Sequence, residues 1–236
     1  MSRSSSIDVI ASAVQAEHID LRRHSSPAGA VTLLFTDIER STEILEELGD
    51  ERWVAILRDH NTIVFQAVQG FSGTIIKSQG DGYMAAYDSS HAALRSAIEL
   101  QRAFARRRNS PTDPLLRLRI GLHAGSVIAD ERDYFGRNVV LAARIADLGA
   151  GGEILVSSDL MQYTKTDPAF HYTRRGTFEL KGLKGKHEVH AVRWDRRQGE
   201  STEERGQRVP QAEALRPMSA SDRARTGDLR RDRPAL

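Results

Sequence analysis

Between residues 31 and 126 strand-like and helix-like patterns follow one another in a fixed order, and that order limits the fold more than any composition does. "VTLLFT" (31–36) is an apolar run of buried-strand length. "ERWVAILRDHNTIVFQAVQ" (51–69) has helical periodicity, with Trp53, Ile56, Ile63, Val64 and Ala67 on one stripe. "GTIIKSQGDGYMAAY" (73–87) sets two strand-like runs around a turn rich in Gly and Asp, the pattern of a hairpin. "SSHAALRSAIELQRAFARR" (89–107) is a second helix, with Ser89 or Ser90 as its N-cap. "LLRLRIGLHAG" (115–125) is another strand, alternating at Leu116, Leu118 and Ile120.

The series reads β-α-β-β-α-β, which predicts an α+β fold of the ferredoxin-like or palm type, an antiparallel sheet with helices on one face. A third helix, "VVLAARIADLG", stops at Gly149, and strands at "EILVS", "FHYTRRGTFEL" and "HEVHAVRW" form a C-terminal extension. Ahead of the domain, Ile7, Ile10, Val14 and Leu21 fall at helical spacing in residues 7–22, before "SSPAGA" breaks the pattern. That helix is too short for a coiled coil, and a dimer contact is one use for it. The expected organisation is a helix and linker over 1–28, a catalytic domain over 29–195 and a tail over 196–236.

The tail carries the basic character. It holds 10 Arg against 7 Asp or Glu, so residues 1–195 are close to neutral within a chain of net charge +2. Poor in aromatic and β-branched residues, it is expected to be disordered. Its interleaved acids argue against a nucleic-acid arm, and nucleic acid is not expected as a partner. The chain has no cysteine, hence no disulfide framework, thiolate metal site or cysteine nucleophile. No apolar run approaches the roughly 18 residues that span a bilayer, so no membrane partner and a cytoplasmic location are expected.

Two aspartates end apolar runs: Asp37 in "FTDIERST" and Asp81 in "QGDGY". In the expected topology the first strand lies beside the hairpin, so the two can converge. Paired carboxylates without His or Cys suit a hard divalent cation that completes its shell with phosphate oxygens. Taken singly, each has a plainer use, Asp37 as a helix cap and Asp81 in a type I′ turn. His123 in "GLHAG" is expected to be structural, and "GAGGE" (149–153) to be a helix cap and turn rather than a phosphate loop.

Taken together and in order, "VTLLFTDIERST", "GTIIKSQGDGYMAAY", "LRIGLHAGSV", "DYFGRNVVLAARI" and "GGEILVS" resemble the class III nucleotide cyclase catalytic domain, from about residue 31 to 194. The resemblance implies that Asp37, Asp81 and the Ile38 backbone bind two Mg²⁺ or Mn²⁺ ions. The amides near Ser41 and Thr42 would cradle phosphates. Lys77 and Asp133 match the base-selecting pair in a form suited to adenine, hence ATP. Arg144 matches the arginine that stabilises charge developing on phosphate, and Lys181 a lysine on the terminal phosphates. A homodimer with shared sites is implied as well. Plainer uses remain for each: a surface strand lysine at Lys77, a loop lysine at Lys181, a turn at Asp133, an Arg144–Asp147 pair on the helix surface.

One position departs from the family. The asparagine usual four residues before the arginine is Val140 here, which can neither donate nor accept a hydrogen bond. Asn138 points roughly 200° away on a helix and is expected to cap it instead. The expected activity is therefore a slow adenylate cyclase giving cyclic AMP and pyrophosphate. The second reading is a cyclase-like nucleotide-binding module with little turnover.

Overall fold

A computed structural model describes residues 6–17, 24–27, 29–107, 115–126 and 132–195, without the side chains of 15–17, 126 and 132–135. The tail over 196–236 lies outside the described residues. In chain order the elements are α1 (Ser6–Glu17), β1 (Ala30–Ile38), α2 (Ser41–Leu48), α3 (Asp50–Gly70), β2 (Thr74–Gln79), β3 (Gly82–Tyr87) and α4 (Ser90–Arg107). They continue with β4 (Leu118–Ser126), α5 (Arg132–Asp147), β5 (Ile154–Ser157), α6 (Ser158–Thr164), β6 (His171–Glu179) and β7 (Lys186–Arg193).

One seven-stranded sheet runs β2-β3-β1-β4-β5-β7-β6. Its first four strands are antiparallel to their neighbours, the order and sense of the ferredoxin-like core. β5 joins β4 in parallel, and β7 and β6 close the far edge. The one-face expectation holds for the core alone. Leu34, Ile38, Leu118, Ile120 and Leu122 pack on one side with Trp53, Ile56, Val64, Leu94 and Phe104 of α3 and α4. Val31, Leu33, Phe35 and Met84 face the other side, where α1 and α5 cover them with Ile7, Ile10, Val14, Val139 and Ala142. With both faces covered, β1 is buried at eight of its nine positions, as a central strand is.

Local signals account for the element ends. Ser89 Oγ accepts the Ala92 amide (3.3 Å) and is the cap of α4. Ser157 Oγ accepts the Leu160 amide (3.2 Å) and starts α6, a short helix that strand periodicity hides. α1 is described as far as Glu17, and the rest of the predicted helix, to residue 22, lies outside the described residues. Ile7 and Ile10 of this helix are fully buried, each burial stabilising by about 2 kcal/mol. Among the described residues no helix is long and apolar enough to cross a membrane.

Candidate active site

β1 lies between β3 and β4, so its last turn of chain meets the β2–β3 hairpin on one side and the start of β4 on the other. Asp37 and Asp81 converge there. Both are buried, with only 3% and 5% of their surface accessible. The backbone amide of Ile38 donates to Asp81 Oδ2 (3.0 Å), and Ser6 Oγ of α1 donates to Asp81 Oδ1 (2.9 Å). Arg119, opposite Asp37 in the β1–β4 register, forms a salt bridge with Asp37 Oδ2. Asp37 Oδ1 is buried without a hydrogen-bond partner. Burial first, then the charge of Asp81, push the Asp37 carboxyl up to about 7 against the opposing pull of Arg119.

The plainer use fails for Asp37, whereas Asp81 does sit in the hairpin turn, though of another type than expected. The N-cap of α2 is Arg40, which makes no side-chain cap hydrogen bond, so Asp37 is not the cap. In the two-residue turn only Gly80 has positive φ (61°), which fits type II′ and not the expected I′. A buried, unpartnered carboxylate oxygen beside a second carboxylate is what a hard cation would complete. Among the described residues no group of three or more His, Cys, Asp or Glu could hold a metal ion. The protein would therefore supply the two carboxylates and the Ile38 carbonyl, leaving the remaining positions to phosphate and water.

The turn into α2 follows two residues after Ile38. Arg40 takes a left-handed conformation (φ 59°), unusual for a non-glycine residue, and so turns the chain into α2 at Ser41. Its guanidinium is ion-paired with Glu43. The helix opens at Ser41 and Thr42 without a side-chain cap, which leaves the positive end of its dipole for an anion. Glu39 accepts the Gly151 amide (2.8 Å).

α5 crosses β4 at close range, since a Cβ on Gly121 would lie 2.2 Å from the Ala146 nitrogen and one on Gly125 would lie 2.4 Å from Asn138. This approach sets the height of Arg144. Its Nη1 pairs with Asp147 (2.9 Å) and with Asp8 of α1, and its Nε donates to the Lys181 carbonyl (3.3 Å). Burial opposes the Arg144 charge, and the two carboxylates outweigh it, raising the pKa. The helix-surface pair with Asp147 is thus present, and the Arg144 guanidinium also reaches the backbone carbonyl of Lys181. Lys77 stands opposite Met84 in the β2–β3 register, which places it on the face that α1 and α5 cover. Asp133 is the second residue of α5, but its side chain lies outside the described set.

Val140 is half-buried one turn before Arg144. Asn138 is not a cap, because α5 begins at Arg132; it is buried in the helix with Oδ1 on His123 Nε2 (3.1 Å). His123 Nδ1 meets Ser157 Oγ (2.9 Å), and burial lowers its pKa, so His123 serves packing as expected. The expected turn after α5 is present, with the Gly149 amide donating to the Ala146 carbonyl (3.0 Å). Sequence reading missed Arg119, although a charged residue between Leu118 and Ile120 must face the sheet side opposite theirs. It also missed Ser6 and Asp8, for which no local signal exists.

Residues 24–193 match the family described as the adenylate and guanylate cyclase catalytic domain, and the chain belongs to that family. An uncharacterized protein of Mycobacterium tuberculosis is 33% identical over 134 residues, covering 56% of this chain and 44% of the relative. A putative adenylate cyclase 3 of Rhizobium meliloti is 29% identical over 158 residues, 66% of this chain and 25% of the relative. The chain thus spans less than half of either relative. Among solved structures, the adenylyl cyclase CyaB from P. aeruginosa superposes with a TM-score of 0.61 at 27% identity, covering 72% of this chain and 95% of that one.

Proposed function

We propose that the protein is an adenylate cyclase that converts ATP to 3′,5′-cyclic AMP and pyrophosphate, slowly. The observation that carries this reading is the buried convergence of Asp37 and Asp81, with one carboxylate oxygen unpartnered and the Asp37 pKa raised to about 7. Two Mg²⁺ or Mn²⁺ ions held by Asp37, Asp81 and the Ile38 carbonyl would neutralise triphosphate charge and acidify the ribose 3′-hydroxyl. The chain's own groups orient the nucleotide around that point. The Ser41 and Thr42 amides bind phosphate oxygens at the α2 terminus, and Lys181 binds the terminal phosphates. Lys77 donates to adenine N1, and Asp133 accepts from the exocyclic amino group. Arg144 donates to the phosphate oxygens that gain charge as the 3′-oxygen bonds to the α-phosphorus and pyrophosphate leaves.

In this reading each site is shared. The carboxylates come from one copy and Lys77, Asp133 and Arg144 from a second, so a symmetric homodimer carries two sites. The catalytic domain spans residues 29–195. Val140 favours a second reading, a nucleotide-binding module with little turnover, since loss of one oriented donor costs on the order of 10²–10³ in rate.

Purified protein with Mn²⁺ and ATP, assayed for cyclic AMP beside Asp37→Ala and Asp81→Ala, tests the proposal. The expected result is measurable product from the parent and a loss of about 10³-fold or more in each variant. Mn²⁺-ATP binding without any cyclic AMP would establish the binding module instead. Near-parental activity in either variant would overturn the cation site.

A further inference from the structure

The helix α1 reaches both halves of the proposed site from within one chain. Its apolar stripe of Ile7, Ile10, Ala11 and Val14 is buried on a seat made by Met84 and Ala86 of β3 and by Val139, Ala142 and Ala143 of α5. This anchoring aims the first turn of α1 at charged groups. Ser6 Oγ donates to Asp81 Oδ1 (2.9 Å), and Asp8 pairs with Arg144 Nη1. The fit over the hairpin turn is tight, for a Cβ on Gly82 would lie 2.8 Å from the Ser6 Cβ. Two residues apart on one helix, Ser6 and Asp8 thus engage a carboxylate assigned to the cations and the guanidinium assigned to phosphate.

We propose that α1 is an autoinhibitory cap, whose first turn occupies the cation carboxylate and the phosphate-binding arginine until it is displaced. The proposal rests on the cyclase reading of Asp81 and Arg144. A hydroxyl donating to Asp81 satisfies an oxygen that a cation would otherwise take. The Asp8 carboxylate gives Arg144 an anionic partner of the kind that a phosphate oxygen would provide. Lys77 lies on the same covered face, so one movement of α1 uncovers groups of both half-sites. Bound metal and nucleotide then compete with α1, and their apparent affinity falls by the fraction of chains in which the cap is open.

The test compares the full chain with the Ser6→Ala/Asp8→Ala double variant, which removes the polar contacts and leaves the apolar stripe intact. Mn²⁺ binding without nucleotide is read by electron paramagnetic resonance, and cyclic AMP formation is read separately. Circular dichroism confirms that both proteins are folded. The expected result is Mn²⁺ affinity about 10-fold higher in the variant, since a hydrogen bond to a charged group is lost. Cyclic AMP formation rises by about 10-fold or more. Tighter Mn²⁺ binding with no cyclic AMP from either protein would support the cap and defeat the cyclase reading. Unchanged turnover in an active, folded variant would overturn the cap and leave the cyclase reading standing. Ile10→Asp, which places a charge in the apolar seat, gives a second route to release. A folded Ile10→Asp protein should bind Mn²⁺ like the double variant, and parental affinity would overturn the proposal.

Discussion

The two charged regions of the site are unbalanced in opposite senses. At the end of β1, two buried carboxylates converge, Arg119 forms a salt bridge with Asp37, and the other oxygen of Asp37 has no partner. On α5, a single guanidinium has two carboxylates, Asp8 and Asp147. The first region is short of positive charge, and the second has its positive charge already neutralised by the chain. A metal–nucleotide complex is complementary to both, since cations complete the carboxylates and phosphate oxygens can take the place of Asp8 and Asp147 at Arg144. The comparison teaches that Asp37 keeps one oxygen open to a ligand, while Asp81 and Arg144 each have a partner on α1 that a ligand has to replace.

The weakness of the arginine half is open to direct repair. Val140→Asn restores a donor one turn from Arg144, and the kcat for cyclic AMP is expected to rise by about 10²-fold. An unchanged kcat at saturating Mn²⁺-ATP would mean that α5 does not limit the reaction. A smaller effect concerns selectivity. Lys77→Glu with Asp133→Ser inverts the donor and acceptor pattern that meets the base, so the ATP:GTP preference should fall by about 10-fold or more. Equal ATP:GTP ratios in variant and parent would remove both residues from the base pocket.

The order of the core, and the convergence of Asp37 with Asp81, were legible because strand-like runs and helical periodicity name the elements and a ferredoxin-like topology sets β1 beside the hairpin. Their burial was not legible. It follows from the pairing of β1 on both edges and from α1 packing over the second face, and no local pattern near Asp37 encodes either. Asn138 shows the same limit: its position suits a cap, but α5 starts six residues earlier and His123 claims its side chain. The parallel β5 and the α5 layer come from the C-terminal extension, which the core pattern does not determine.

The smallest expected effect is on stability. The unfolded Asp37 ionises near 4, whereas the folded group holds its proton up to about 7. Between these values the folded state binds more protons than the unfolded state, so the stability of the metal-free chain falls as pH rises through this window. Asp37→Asn removes that penalty. It should stabilise the chain relative to the parent by roughly 2–4 kcal/mol more at pH 8 than at pH 5, read from urea unfolding. An equal difference at both pH values would show that the folded state does not raise the Asp37 pKa.

Whether the two unbalanced regions complement each other across copies of the chain is settled most directly by mixing two inactive proteins, Asp37→Ala and Arg144→Ala. A heterodimer of the two contains one site with both lesions and one with neither. The account predicts that cyclic AMP formation returns on mixing, toward about half of the parental rate per heterodimer, as one intact site of two requires. A mixture that stays as inactive as its components, while heterodimers demonstrably form, would contradict it.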